Sequence, residues 1–240
     1  MLDARGLVKA YKRTTAVDGV DLTVAPGERV ALLGPNGAGK TTTLLMLLGA
    51  ILPDAGSVEV LGHPLPKERS RAMEGVGFAA GYLPLPERLK VKEVLGVFAN
   101  LYGIEDPASR IAADLERFRI AHLADAMATE LSSGQRTLVG IVKATLHRPQ
   151  LLVLDEPTAS LDPDVADQVR VGVERMCNET GAALLVTSHN MMDVERVCER
   201  VVFLAAGRVV ANGTPDEVIR RFGRGNLEEV FLHLARPEDG

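Results

Sequence analysis

One stretch constrains this chain more than any other, Gly34-Pro35-Asn36-Gly37-Ala38-Gly39-Lys40-Thr41. It fits the pattern of a glycine, four residues, a second glycine, a lysine and then serine or threonine. Glycines let the backbone turn tightly and bring its N–H groups close to an anion, where a Cβ would obstruct the approach. The stretch therefore predicts a loop that binds phosphate groups.

The chain on both sides of this loop favours the same interpretation. Residues 29–33 are apolar after the first and predict a buried strand, and residues 42–48 predict a helix. The loop then lies at a helix N-terminus, where the positive end of the helix dipole favours an anion. Lys40 would reach the β- and γ-phosphates, and the Thr41 hydroxyl would hold Mg²⁺. The alternative is a glycine-rich turn without a nucleotide, which the strand–loop–helix context disfavours.

A pair of carboxylates follows four apolar residues, 151–154, that predict another buried strand. Asp155 and Glu156 emerge at the C-terminal end of that strand, the edge where open α/β sheets place their ligands. Asp155 can hold Mg²⁺, and Glu156 can orient and polarise an attacking water as a general base. By themselves the two would be ordinary loop carboxylates. Together with the phosphate loop they predict a site for nucleotide hydrolysis.

Two further side chains, those of His189 and Tyr11, are candidates for contacts with the nucleotide. His189 directly follows the apolar strand 183–188, so we expect it on the ligand edge, where it can contact a γ-phosphate. Tyr11 lies among charged residues near the N-terminus and could stack on a purine ring. Alone, either residue would be interpreted as an ordinary surface side chain.

The middle of the chain follows a helical period. Apolar residues at 91, 94, 95, 98 and 101 lie three or four apart, and Asp106-Pro107 is typical of a helix start. We expect residues 83–147 to form a helical segment inserted in a single domain that covers residues 1–240.

Composition excludes several classes of protein. Hydrophobic residues make up 46% and charged residues 25%, as in ordinary globular domains, and the net charge of −5 argues against a nucleic-acid surface. The longest apolar run, residues 44–52, is shorter than a membrane span, and the first residues lack an apolar signal region. We therefore expect a cytoplasmic protein.

With Leu131-Ser132-Ser133-Gly134-Gln135 added, the chain resembles an ATP-binding cassette (ABC) nucleotide-binding domain. The family signature is usually Leu-Ser-Gly-Gly-Gln, and here Ser133 replaces the first glycine. The order also agrees along the chain: Tyr11, phosphate loop, signature, carboxylate strand, Ser160-Leu161-Asp162 and His189.

The resemblance implies an α/β fold, a P-loop NTPase of the ABC-ATPase type with an antiparallel β subdomain and an inserted helical subdomain. It also implies a head-to-tail dimer that closes on two ATP molecules with Mg²⁺. Tyr11 would stack on adenine, Asp155 would support the metal, Glu156 would be the catalytic carboxylate, and His189 would orient the γ-phosphate and water. Asp162 would lie in a loop that communicates across the dimer.

Two groups of residues would contact ATP in this family. The phosphates would be cradled by Gly34, Pro35, Asn36, Gly37, Ala38, Gly39, Lys40, Thr41 and Thr42. The γ-phosphate of the partner's ATP would be met by Ser132, Ser133, Gly134 and Gln135 at the start of a helix.

The resemblance predicts an ATP-binding and hydrolysing subunit of an ABC transporter, peripheral at the inner face of the cell membrane. Separate membrane-spanning subunits would be its partners, beside a second copy or another cassette. Residues 187–191 and the tail 226–231 look like those of exporter-type subunits. Two alternatives remain: a soluble ATPase that acts as a clamp or assembly factor on protein or nucleic acid, and a weakly hydrolysing regulatory subunit.

One position departs from the family pattern. After the strand near Phe78 the family usually has a glutamine that contacts Mg²⁺ and water and senses the membrane partner, and this chain has Gly81 there. Glycine has no side chain to ligate a metal. We therefore expect weaker metal-linked coupling between ATP and the partner, or a water in place of the missing ligand.

Overall fold

The computed structural model describes residues 1–12, 14–81, 83–159 and 161–235. The chain divides into two compact units. The first unit combines Met1–Met73 with Ala183–Gly240, and the second is Glu74–Ala182.

In chain order, the strands are β1 (Leu2–Tyr11), β2 (Thr14–Val24), β3 (Arg29–Leu33), β4 (Ala55–Val60), β5 (His63–Leu65), β6 (Val76–Ala80), β7 (Leu151–Asp155), β8 (Ala183–Thr187), β9 (Arg200–Ala205) and β10 (Arg208–Gly213). The helices are α1 (Lys40–Leu47), α2 (Arg69–Glu74), α3 (Val91–Leu101), α4 (Pro107–Arg117), α5 (Ser133–Thr145), α6 (Pro163–Thr180), α7 (Met191–Val197), α8 (Pro215–Phe222) and α9 (Leu227–Ala235). Short 3₁₀ turns cover Ala121–Leu123 and Ala128–Glu130.

The first unit contains an antiparallel sheet with the strand order β2-β1-β4-β5. The register between β1 and β2 shifts at several points, between Ala4 and Leu7 and again between Lys9 and Ala10. These irregularities break the alternation of buried and exposed residues along β1. The antiparallel β subdomain expected from the resemblance is confirmed.

The first unit also contains the strand that precedes the phosphate loop. β3 is parallel to both β8 and β9, and β10 returns antiparallel along β9. Four of the five β3 residues and all of β8 are buried. This burial explains the continuous apolar runs that predicted strands at 29–33 and 183–188.

The second unit pairs β6 with β7 in parallel, and Ala80 lies opposite Asp155 at the end of the pair. Its helices α3, α4 and α5 pack on one another. The buried Asp114 carboxylate accepts hydrogen bonds from Arg110 and Arg117. These helices lie within the predicted segment 83–147, whose boundaries stay a prediction. In the described part of the chain, none of the helices has the length and apolar character needed to cross a membrane.

Helix starts follow the local signals in the sequence. Asp106 caps α4 through its Oδ1, which accepts from the Ser109 N–H at 3.2 Å, and Thr214 and Glu217 form a reciprocal capping box at α8. Asn190 caps α7. Asp162 occupies the N-cap position of α6, but within the described residues its side chain makes no capping hydrogen bond.

Candidate functional site

The phosphate loop connects the buried end of β3 to the first turn of α1. Gly34 and Gly39 have φ angles of 147° and 101°, a region of backbone conformation that favours glycine. A Cβ at Gly34 would overlap the carbonyl oxygen of Leu204, and one at Gly39 would overlap that of Ala16. Neighbouring backbone therefore leaves no room for a side chain at these two positions, and glycine lets the loop turn tightly enough to present its N–H groups to phosphate.

Lys40 places its ammonium group inside the curve of this loop. Its Nζ donates to the carbonyl oxygens of Gly34 at 2.7 Å and Pro35 at 3.3 Å, and the residue is only 7% exposed. The Ala38 N–H donates to the Pro35 carbonyl at 3.1 Å and tightens the turn. A positive charge is therefore held where the helix dipole already favours an anion.

The hairpin between β9 and β10 braces the loop. The Gly207 N–H donates to the Ala38 carbonyl at 3.1 Å, and the Gly207 carbonyl accepts from the Asp18 N–H at 2.8 Å. In the sequence, residues 205–208 lie between the apolar runs 201–204 and 209–210 and are typical of a hairpin turn, but no local pattern indicates its contact with the phosphate loop. Gly207 has a φ of 77°, which favours glycine. The glycine in the sequence therefore indicates the turn, but it does not indicate which segment the turn contacts.

Tyr11 and His189 lie on other elements of the first unit. Tyr11 ends β1, is 47% exposed, and has the Lys9 Nζ 5.9 Å from its ring centroid. An exposed ring of this kind is available for stacking on a base. His189 is exposed just beyond β8, and its ring lies 6.2 Å from that of Phe231 in an edge arrangement.

The carboxylate pair belongs to the second unit. Asp155 ends β7 and is 3% exposed, and the Oε1 atom of Glu156 is also buried. Glu156 has a φ of 51°, unusual for a residue with a side chain. Such a conformation costs about 1–3 kcal/mol, and five other described residues that are not glycine also have a positive φ. The backbone thus turns sharply where the strand ends, and this turn sets the direction of the Glu156 carboxylate.

The signature segment, Leu131–Gln135, forms the start of α5. Ser132 is the N-cap: its Oγ accepts from the Gln135 N–H at 3.2 Å, and its N–H donates to the Gln135 Oε1 at 2.9 Å. Ser133 and Gly134 begin the helix. Ser160, part of a predicted motif with Leu161 and Asp162, lies outside the described residues.

Gly81 directly follows β6, and Glu156 directly follows the partner residue Asp155 on β7. The two positions therefore emerge at the same end of a parallel strand pair. A Cβ at Gly81 would have nothing within 4 Å in the described chain. Among the described residues there is thus room for a side chain at position 81.

Comparison with known protein families matches residues 17–159, more than half of the chain, to the family described as ABC transporter. The matched region contains the phosphate loop, the signature segment and the carboxylate pair. The chain belongs to the ABC transporter family.

Curated relatives of this ABC protein agree. It is 38% identical over 225 residues to the Nod factor export ATP-binding protein I of Paraburkholderia xenovorans, covering 93% of this chain and 74% of that protein. It is 36% identical over 233 residues to the lipopolysaccharide export system ATP-binding protein LptB of Escherichia coli, covering 91% and 92%. A solved structure described as the ATP binding subunit of an ABC transporter superposes with a TM-score of 0.89 at 30% identity, covering 98% of this chain and all of that one.

The ABC cassette predicted from the sequence is therefore confirmed in its family, its fold and its class of activity. The protein is an ATPase that binds ATP. The roles of individual residues are not decided by family membership, and they stay predictions.

Proposed function

We propose that this chain binds and hydrolyses ATP to drive export through separate membrane-spanning subunits, by closing a head-to-tail dimer on two ATP molecules. The single observation that carries the proposal is the cradle at residues 34–40, where glycine backbone and a buried lysine enclose the start of α1. Direction of transport rests on the relatives, two of which are named as export ATP-binding proteins.

Each predicted residue has a specific task in this proposal. The phosphate-loop N–H groups and Lys40 bind the β- and γ-phosphates, and Tyr11 stacks on adenine. Ser132 and the first turn of α5 meet the γ-phosphate of ATP bound to the partner cassette, and Asp162 helps transmit closure of the dimer.

The donor set also fits Mg²⁺, which takes oxygen ligands and several waters. Thr41 carries a hydroxyl, and Asp155 carries a buried carboxylate at a strand end. We assign both to the metal, which when bound neutralises charge on the phosphates.

Glu156 orients and deprotonates the attacking water, and His189 orients the water and the γ-phosphate. Glu156 directly follows β7, at the strand end where open α/β sheets place their ligands, and this position supports its role.

The second unit offers a surface for a partner. Val97, Leu101 and Tyr102 are exposed along α3, and Leu101 is 74% exposed. Lys143 of α5 lies over the Phe98 ring at 4.9 Å, and burial lowers the pKa of its ammonium group. Adjacent exposed apolar side chains are typical of protein interaction sites. We assign this face to the membrane-spanning subunits, which would hold the cassette at the inner face of the membrane.

The test is the Glu156→Gln variant of the full chain. Glutamine keeps the size of the side chain and removes its base, so ATP hydrolysis falls by at least about 100-fold. ATP binding persists, and the variant accumulates as an ATP-bound dimer in size-exclusion chromatography. Glu116→Gln, on the exposed side of α4, is the matched control and keeps wild-type hydrolysis.

Two results would contradict the proposal. A Glu156→Gln variant that stays monomeric with saturating ATP argues against the dimer mechanism. Wild-type ATPase activity that does not respond to the co-purified membrane subunits in lipid favours the soluble clamp or assembly factor instead.

A further inference from the structure

The contact between His189 and Phe231 joins the loop after β8 to the last helix of the described chain. The ring centroids lie 6.2 Å apart and the planes meet at 75°. Aromatic rings attract one another in edge arrangements when their centroids are 4.5–7 Å apart. Phe231 therefore restricts the directions in which the imidazole ring can point.

Local hydrogen bonds hold the loop backbone around this ring. The Asn190 N–H donates to Ser188 Oγ at 3.0 Å, and Asn190 Oδ1 caps α7. These bonds fix the main chain on either side of His189. The side chain itself is exposed, and exposed side chains change rotamer within picoseconds to nanoseconds unless a neighbour restrains them.

Phe231 is carried by a well-anchored helix. Leu227 and Val230 of α9 are fully buried, and the Leu227 N–H donates to the Glu195 carboxylate of α7 at 3.4 Å. The Asn226 Oδ1 accepts from the Glu229 N–H at 2.8 Å and caps the helix start. α9 is thus fixed against α7, the helix that begins two residues after His189.

We propose that Phe231 is a positioning residue for ATP hydrolysis, holding the His189 imidazole in the orientation that meets the γ-phosphate and the attacking water. The inference rests on the role of His189 in the proposed function. In this proposal, a change in the position of α9 alters the rate of ATP hydrolysis, although α9 itself does not contact the nucleotide.

The first experiment compares Phe231→Leu, Phe231→Tyr and Leu232→Ala in the full chain. Leucine keeps the apolar contact but removes the ring, so kcat for ATP hydrolysis falls about two- to tenfold, the range that corresponds to an aromatic pair. KM for ATP and the melting temperature stay close to wild type. Tyrosine keeps the ring and restores kcat. Leu232 is half exposed on the same helix, and its variant keeps wild-type kcat.

A second measurement reads the contact directly. In proton NMR spectra, the imidazole resonances of His189, assigned by their loss in His189→Ala, carry a ring-current shift from Phe231. The shift disappears in Phe231→Leu and is kept in Phe231→Tyr. Resonances of His189 that are unchanged in Phe231→Leu overturn the inference.

The double variant separates positioning from a general structural role. If Phe231 acts through His189, Phe231→Leu causes no further loss of kcat in a His189→Ala background. Losses that multiply, or an equal loss in Leu232→Ala, overturn the inference. A His189→Ala variant with wild-type kcat overturns the proposed role of His189 as well. A His189→Ala variant that loses activity while Phe231→Leu keeps it overturns the positioning inference alone.

Discussion

The helices α1 and α5 both start at segments rich in small residues that are predicted to meet phosphate, yet the two starts are built differently. Gly39 is the N-cap of α1 and has a left-handed backbone, and no side chain within the described residues caps this helix. Ser132 is the N-cap of α5, and its side chain and main chain form a reciprocal capping box with Gln135.

The presence or absence of a side-chain cap corresponds to two different ways in which a helix start can bind an anion. A helix start without a side-chain cap requires acceptors from elsewhere for its first N–H groups, and phosphate oxygens can supply them. At α5, the Ser132 Oγ already accepts a hydrogen bond from one of the first N–H groups, that of Gln135. The phosphate loop is therefore shaped by its backbone, whereas the signature segment uses a side chain that has both a structural and a binding role.

The largest effect is expected from Gly39→Ala. The new Cβ would overlap the Ala16 carbonyl oxygen at a left-handed φ, so the loop must rearrange. We expect ATP binding to be lost, and the free energy of unfolding to fall by about 1–3 kcal/mol. Equilibrium binding of a fluorescent ATP analogue and urea unfolding measure the two effects.

Gly140→Ala is the control for that substitution. Gly140 lies within α5, where a Cβ meets nothing within 4 Å of the described chain. Alanine there stabilises the helix by roughly 0.5–1 kcal/mol and leaves ATP binding intact. Equal ATP binding by the two variants would show that the Gly39 backbone does not shape the phosphate site.

An intermediate effect is expected from Ser132→Ala. Loss of the N-cap lowers the free energy of unfolding by about 1 kcal/mol. Loss of the proposed contact to the partner's ATP also lowers ATP hydrolysis, by roughly tenfold. Thermal unfolding and steady-state ATPase assays separate these two consequences.

Thr214→Ala provides a matched comparison, because Thr214 and Glu217 form the same type of capping box at α8. It should lose similar stability and keep the ATPase activity. If Thr214→Ala lowers hydrolysis as much as Ser132→Ala does, the capping box at α5 has only a structural role.

The smallest effect on the folded state is expected from Gly81→Gln. The open space at this position predicts a change in unfolding free energy within about 0.5 kcal/mol. The added amide restores a polar ligand beside Glu156, so stimulation of the ATPase by the membrane partner rises roughly fivefold. Gly81→Ala adds a Cβ without a ligand and is the control. Unchanged basal rate and unchanged stimulation in Gly81→Gln would refute the hypothesis of weakened coupling.

Local signals in the sequence were enough for much of the fold. The strand at 29–33 appears where it was predicted. Thr214 begins α8 with the capping box that a threonine followed three residues later by a glutamate favours. Asp106 and Pro107 begin α4 as expected. Each of these features depends on residues a few positions apart, so their chemistry is visible in the sequence.

Other elements lacked such a signal. The bounds of β1 were not predicted from the sequence, because register shifts break its alternation of buried and exposed residues. β5 was missed because it has three residues, one of them Pro64, which is typical of an edge strand. Residues 67–73 are typical of a short helix in the sequence, and in the structure this helix begins at Arg69.

The sequence by itself determined the family, the position of the phosphate loop between a strand and a helix, and the identity of the candidate residues. These follow from residue type and short spacing. Only the tertiary structure decided that Leu204, Ala16 and Gly207 enclose the phosphate loop, and that the ring of Phe231 lies against that of His189. The physical reason is that these contacts join segments distant along the chain, and which segments meet depends on how the whole unit packs its apolar residues.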